Sequence, residues 1–246
     1  IFFSGCSNNE NGDDAGTGLS GAFSVSASWN NIGVITDTTV ELFKDATVQS
    51  EKITQVLYNQ PVNILESKDS WSKVETADGL MGWIKTRYIT KDTSSLDQDN
   101  SESKIIVTVK KSSVLSQMVN GSLIRDVVMG TEFSVIKSAQ GWYEVALPDE
   151  KTGWISENGT IHIEAGKNVA KTSAESFVAT ALKFKGTVFL QGGISAWGID
   201  SSGLTYICSR INGVRLPRSL DMQYKIGKEI DISKESPTEG DLVFFS

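Results

Sequence analysis

The sequence predicts a multidomain chain: two small β-barrels in tandem, followed by an α+β unit. Three observations carry this reading. A pattern of apolar and aromatic residues recurs at a constant offset of 71 residues. Within each copy apolar residues alternate, the period of a half-buried strand. Beyond Lys171 the period lengthens to that of a helix and glycines cluster. A length of 246 residues suits either one large domain or two to three small ones, at about 100–200 residues per domain.

The chain opens Ile1-Phe2-Phe3-Ser4-Gly5-Cys6, an apolar run followed by two small residues and a cysteine. The stretch from Ser7 to Asn31 is rich in Ser, Asn, Gly and Asp and reads as a disordered tether. The opening resembles the end of a bacterial lipoprotein signal peptide, although Phe3 stands where Leu is usual. The resemblance implies that Cys6 is the lipidated residue. It also implies export and anchoring at the outer face of the bacterial cytoplasmic membrane, facing the cell wall. The alternative is an ordinary start with an ordinary Cys. The start at Ile1 and the strand-like end Leu242-Val243-Phe244-Phe245-Ser246 predict a chain cut at both ends, since domains rarely stop in mid-strand.

The repeat comes next. Val62-Asn63-Ile64-Leu65, Trp71-Ser72-Lys73-Val74 and Gly82-Trp83-Ile84 correspond to Phe133-Ser134-Val135-Ile136, Trp142-Tyr143-Glu144-Val145 and Gly153-Trp154-Ile155. Val62 and Ile64 share one face, as do Phe133 and Val135. Trp142 and Glu144 face opposite to Tyr143 and Val145. Ala77-Asp78-Gly79 and Pro148-Asp149-Glu150 fall between apolar runs as hairpin turns. A unit of about 60 residues is small for an independent core. Closing the sheet into a barrel removes its edges.

The order Leu57-Tyr58-Asn59-Gln60-Pro61-Val62-x-Ile64-Leu65, Trp71-x-Lys73-Val74, Gly82-Trp83-Ile84 resembles bacterial SH3 (SH3b) domains. This places residues 1–31 as signal remnant and tether, 32–91 as the first SH3-like barrel, 92–103 as a polar linker and 104–164 as the second barrel. The resemblance implies binding to peptidoglycan or positioning of a neighbouring enzyme. Trp71, Trp83, Trp142 and Trp154 are expected to be core packing. Tyr58 is the candidate for a contact outside its own barrel and is assigned to substrate binding.

In the third unit, residues 165–246, Thr172-Ser173-Ala174-Glu175 reads as a capping box before a helix over 173–184. Ile199 to Cys208 reads as a turn entering a second helix. Leu216-Pro217-Arg218 breaks the chain, and Gly240-Asp241 opens a strand over 242–245. Gly192-Gly193, Gly198-Ile199-Asp200-Ser201-Ser202-Gly203, Leu216-Pro217-Arg218, Gln223, Gly227 and Gly240-Asp241-Leu242-Val243-Phe244-Phe245 form an ordered set. Together they resemble the NlpC/P60 family of papain-like cell-wall cysteine peptidases, here the N-terminal part of such an α+β domain.

The family mechanism sets a Cys at a helix N-terminus, opposite a His on a later strand. Helix dipole and imidazolium stabilise the thiolate that attacks an amide. The resemblance implies an endopeptidase acting on peptidoglycan stem peptides, between γ-D-glutamate and a diamino acid. It places Ser201 at the nucleophile's position, gives Asp200 the role of holding a free L-Ala amine, and puts Ser202 and Arg218 in substrate binding. It implies no cofactor. A Ser hydroxyl is far less acidic than a thiol, so a site tuned for a thiolate leaves it un-ionised. Thr187-Val188-Phe189 and Gln191 also depart from the family's Pro-Tyr and Trp. The catalytic His and third polar residue are expected beyond Phe245. Engineered inactivation, natural loss of activity and a working Ser variant all remain open for Ser201. A non-catalytic peptide-binding pseudoenzyme, or a wall tether, is the alternative function.

Composition narrows the field. A net charge of −7 disfavours nucleic acid as a partner, since phosphate binding needs a dense basic face. One His and two Cys exclude multi-His and four-Cys metal sites. His162, at the end of the second barrel, is not expected to be catalytic. Cys208, well inside the second helix, is expected to be buried packing.

Overall fold

The computed structural model describes residues 2–4, 28–96, 103–149 and 151–245. Cys6 and nearly all of the expected tether lie outside them.

The first repeat contains, in chain order, strands Ile32–Ile35, Thr39–Phe43, Lys52–Leu57, Pro61–Lys68, Trp71–Thr76, Met81–Lys85 and Ile89–Thr90. The second contains Ser103–Val107, Lys111–Leu115, Leu123–Val128, Glu132–Ala139, Trp142–Leu147, Lys151–Ser156 and Thr160–Glu164. Each set forms a seven-stranded sheet with the same order: third, second, sixth, fifth, fourth, first, seventh. The irregularities repeat as well. The fourth strand shifts register between Ile64 and Glu66 in one copy and between Val135 and Lys137 in the other. Such bulges bend a strand.

In the first unit Ile35, Val40, Leu42, Val56, Val62, Ile64, Val74 and Ile84 form one buried cluster. These residues come from strands at both ends of the sheet order, so the sheet curls over itself around them. None of the four tryptophans belongs to this cluster or to that of the second unit: Trp71 is buried, as expected, whereas Trp83, Trp142 and Trp154 are only half-buried. Trp83 and Trp154 sit next to the inward Ile84 and Ile155, so alternation turns them outward. Trp71 is buried on the outer side, with Phe43 edge-on at 5.7 Å and the Lys85 ammonium 4.5 Å from its ring. Val, Ile and Leu fill the narrow interior instead.

Within the expected linker the described residues include a short helical turn. Ser94–Leu96 is a 3₁₀ turn with Ser95 buried.

The third unit is α+β with three short helices: α1 (Ala174–Leu182), α2 (Ser201–Ile211) and α3 (Leu220–Ile226). The cap of α1 is Ser173, whose hydroxyl accepts from the Ser176 N–H at 3.4 Å. Thr172 donates to Asn212 instead. The Glu175 carboxyl is held below its ordinary range, first by its hydrogen bond with Ser173. In α2, Leu204, Ile207, Cys208 and Ile211 recur at i, i+3, i+4 and i+7, an apolar stripe facing the core. A small hairpin, Ile194–Ser195 with Gly198–Ile199, delivers the chain to the α2 N-terminus. The expected strand over 242–245 is shorter, Leu242–Val243. With Lys228–Ile230 it flanks the strand Phe2–Ser4 in a three-stranded antiparallel sheet.

The three units share cores. Ile106, Met129 and Ile163 of the second barrel pack with Val169, Phe184, Ile199, Ile207, Cys208 and Ile211 of the third unit. Leu57 and Val128, one from each barrel, pack with Ile194 and Tyr206. Tyr58 of the first barrel enters the core of the second, 6.1 Å from the Phe133 ring centroid.

Candidate functional site

The site is built at the N-terminus of α2. Asp200 has extended backbone angles (φ −101°, ψ 174°) and caps the helix. Its Oδ1 accepts from the Gly203 N–H at 2.6 Å and from the Ser202 hydroxyl at 3.3 Å. Its Oδ2 accepts from the Gly192 N–H at 2.7 Å and from Arg218 Nη2 at 2.8 Å. Both carboxylate oxygens are thus engaged inside the protein, and the side chain is 15% exposed.

Arg218 is a buried cation, 4% exposed. Besides Asp200 it donates from Nη1 to the Ser202 hydroxyl at 2.8 Å, from Nε to Thr54 Oγ1 at 2.9 Å and from Nη2 to the Gly193 carbonyl at 3.4 Å. A planar guanidinium offers five donors in a fixed fork, and here it ties the helix start, the Gly-Gly loop and the first barrel together. The first barrel also supplies Gln55, whose Oε1 accepts from the Ile194 N–H at 3.1 Å. Gln223, buried, donates to the carbonyls of Ser202 and Pro217 at 2.9 and 2.8 Å and accepts from Thr205 at 2.6 Å.

Two glycines of the motif make this packing possible. A Cβ on Gly203 would lie 2.1 Å from the Gly193 carbonyl oxygen, and one on Gly193 would lie 2.3 Å from the Gly198 oxygen. The Gly-Gly loop and the first turn of α2 meet backbone to backbone, so these positions are steric requirements of the site.

Ser201 is the first residue of α2 and is exposed. Among the described residues no side chain hydrogen-bonds its hydroxyl. The helix N-terminus carries a partial positive charge, which stabilises an anion there. The structure therefore gathers Asp200, Ser201, Ser202 and Arg218 into one cluster. Ser202 and Arg218 are buried beneath Ser201, where they act on Asp200 and on each other. Tyr58 lies apart from this cluster, at the junction of the two barrels. Its ring meets Phe133 and the Arg125 guanidinium, and burial pushes its hydroxyl up to about 12.

The chain's one imidazole, His162, is exposed on the second barrel and stacked on Tyr143 with centroids 5.8 Å apart. Cys208 is fully buried in α2, and burial pushes its thiol up to about 12. Tyr206, also buried, donates to Asp78 of the first barrel at 3.2 Å. Burial, then the Asp78 charge, raises its hydroxyl above the ordinary tyrosine range. Among the described residues no cluster of His, Cys, Asp and Glu suits a metal ion.

Thr54 and Gln55 carried no site signal in the sequence beyond being two polar residues between the apolar Ile53 and Val56. Their partners lie 164 and 139 residues away. Gln223 belonged to the motif but had no role until its bonds to Ser202 and Thr205 were visible.

Residues 38–90 match the bacterial SH3 domain family, and residues 186–246 match the NlpC/P60 family. Two proteins named gamma-D-glutamyl-L-lysine dipeptidyl-peptidase, from Bacillus cereus and Bacillus subtilis, are each 25% identical to this chain over 201 residues. Each match covers 78% of this chain, but only 60% and 64% of the respective relatives, so the chain spans less than two thirds of their length. The crystal structure of an NlpC/P60 family protein from Bacillus cereus superimposes with a TM-score of 0.73 at 18% identity, covering 82% of this chain and 79% of that one. That likeness establishes a shared fold.

Proposed function

We propose that this protein is a cell-wall peptidase of NlpC/P60 type that addresses peptidoglycan stem peptides of the γ-D-glutamyl-diamino-acid class. In this reading residue 201 is the point of attack and the protein is inactive with Ser there. One observation carries it: Ser201 stands exposed at the start of a helix whose cap, Asp200, is locked by a buried arginine. The names of the Bacillus relatives support the substrate class. The shared strand order supports reading the second barrel as a second SH3 domain.

The geometry favours thiolate over alkoxide chemistry. A helix N-terminus lowers a thiol's pKa from about 8.5 into the neutral range, an effect sufficient for Cys and far too small for a Ser hydroxyl. His162 is exposed on the second barrel and stacked on Tyr143, and we do not assign it as the general base. With Ser201 the same surface binds stem peptides without cutting them. The exposed Phe189 and the Gln191 substitution favour this pseudoenzyme form as natural divergence.

We further propose an exported protein, lipid-anchored through Cys6 at the outer face of the cytoplasmic membrane. Cleavage ahead of Cys6 would remove Phe2–Ser4, so the anchored form would lack the middle strand of the three-stranded sheet. Intact-mass measurement of the membrane fraction tests the anchor: a diacylglyceryl adduct on Cys6 is expected, and an unmodified Cys6 in a soluble protein overturns it. Full-length protein incubated with L-Ala-γ-D-Glu-L-Lys tests the function. Binding without cleavage by the natural protein, and cleavage at the γ-glutamyl bond by Ser201→Cys, are expected. Absence of restored cleavage by a folded Ser201→Cys protein refutes the reading.

A further inference from the structure

Helix α2 is held along its length by both barrels. Tyr206, near its middle, is bonded to Asp78 of the first barrel. Arg210, in its last turn, forms an ion pair with Glu132 of the second barrel, at side-chain exposures of 10% and 9%. Arg210 lies nine residues from Ser201, about 14 Å along a helix rising about 1.5 Å per residue. Between these two contacts Ile207 packs so closely on the second barrel that a Cβ on Gly130 would lie 2.4 Å from its Cδ1. The Asn59 side-chain amide of the first barrel donates to the Glu132 carbonyl at 3.0 Å, so all three units meet at this residue.

We infer that Glu132 is a positioning residue for residue 201, acting through Arg210 and the α2 rod, so that the second barrel is a built-in part of the site. The inference rests on the reading of residue 201 as the point of attack. An ion pair this buried has little solvent to replace it, and removing the Glu132 carboxylate takes away the second barrel's charged hold on Arg210. The helix carries the change, because Arg210 in its last turn and Ser201 at its start lie on one continuous rod. Strain at the last turn, carried along this rod, alters how residue 201 sits over the Asp200–Arg218 pair and changes the local field there.

The test is the reactivity of the thiol introduced by Ser201→Cys, which needs no peptidase turnover. Iodoacetamide alkylation of the full chain is followed from pH 5 to 9. Mass spectrometry of the separated peptides distinguishes this thiol from Cys6 and Cys208. In the Ser201→Cys background, Glu132→Ala is expected to slow alkylation at pH 7 by about threefold or more and to move the profile to higher pH, as expected for a thiol losing part of its thiolate stabilisation. The reversed pair E132R/R210E is expected to restore the rate to within about twofold of the parent. If Glu132→Ala does not fold, Glu132→Gln takes its place in the same comparison. Superimposable profiles in folded variants, with only the unfolding midpoint lowered, overturn the inference. A shifted profile in a Ser201→Cys protein that cuts no stem peptide would keep the inference and refute the proposed function.

Discussion

Asp200→Ala removes the acceptor of four hydrogen bonds at once. The two oxygens serve the Gly203 and Gly192 N–H groups, the Ser202 hydroxyl and the Arg218 guanidinium. The largest consequence falls on Arg218, which is 4% exposed and would keep its charge without a carboxylate. Breaking a buried pair by deleting one partner costs about 3–5 kcal/mol. Loss of the helix cap adds about 1 kcal/mol. The expected destabilisation is therefore about 4–6 kcal/mol, a large part of the roughly 5–15 kcal/mol available to a folded domain. With an m-value of about 2–3 kcal/mol/M in urea, the midpoint falls by about 2 M. Tryptophan fluorescence follows this directly. Asp200→Asn keeps an acceptor for the cap and is expected to lose only about half as much, about 2–3 kcal/mol. A midpoint shift below about 0.5 M for Asp200→Ala would refute the idea that Asp200 and Arg218 form the structural lock of the site.

Three further outcomes are expected. Gly203→Ala drives a methyl into the Gly193 carbonyl, 2.1 Å away. It should destabilise the third unit by about 3 kcal/mol or more, measured by thermal unfolding. Thr54→Val deprives the buried Arg218 Nε of its acceptor and should cost about 1–3 kcal/mol in urea titration, although Thr54 belongs to the first barrel. Burial pushes the Cys208 thiol from its ordinary value of about 8.5–9 up to about 12. A raised acid pKa means the folded state retains its proton, so this stabilisation is complete below pH 9 and is lost as pH rises through about 12. Alkaline unfolding should therefore steepen above pH 9, and Cys208→Ala should reduce that slope.

The repeat was legible in the sequence because its period survived. Trp71 and Trp142, Trp83 and Trp154, and the inward Val, Ile and Leu keep one offset, and the sheets built from them have one strand order. The location of the tryptophans was not legible. Alternation says which residues share a face, yet not which face is the core, and in so small a barrel the aliphatic face wins. Helix α3 was missed for a related reason. Leu220, Met222, Tyr224 and Ile226 alternate as a strand would, whereas the structure caps the segment with Ser219 and buries Gln223. The Asp200-Ser201 turn was readable because a cap and its glycines are local. The contributions of Thr54, Gln55, Asp78 and Glu132 were not, because each is a long-range contact from a barrel that local patterns treat as a separate unit. Their presence turns tandem barrels into a frame for α2.

In the proposed function, residue 201 is the attack position of a stem-peptide site and Ser silences it. The most direct measurement is mass-spectrometric detection of products from L-Ala-γ-D-Glu-L-Lys, incubated with full-length natural protein and with Ser201→Cys. Free L-Ala-γ-D-Glu and lysine are expected from the Ser201→Cys protein alone. Release of the same products at an equal rate by the natural protein, or no release by either, would contradict this reading.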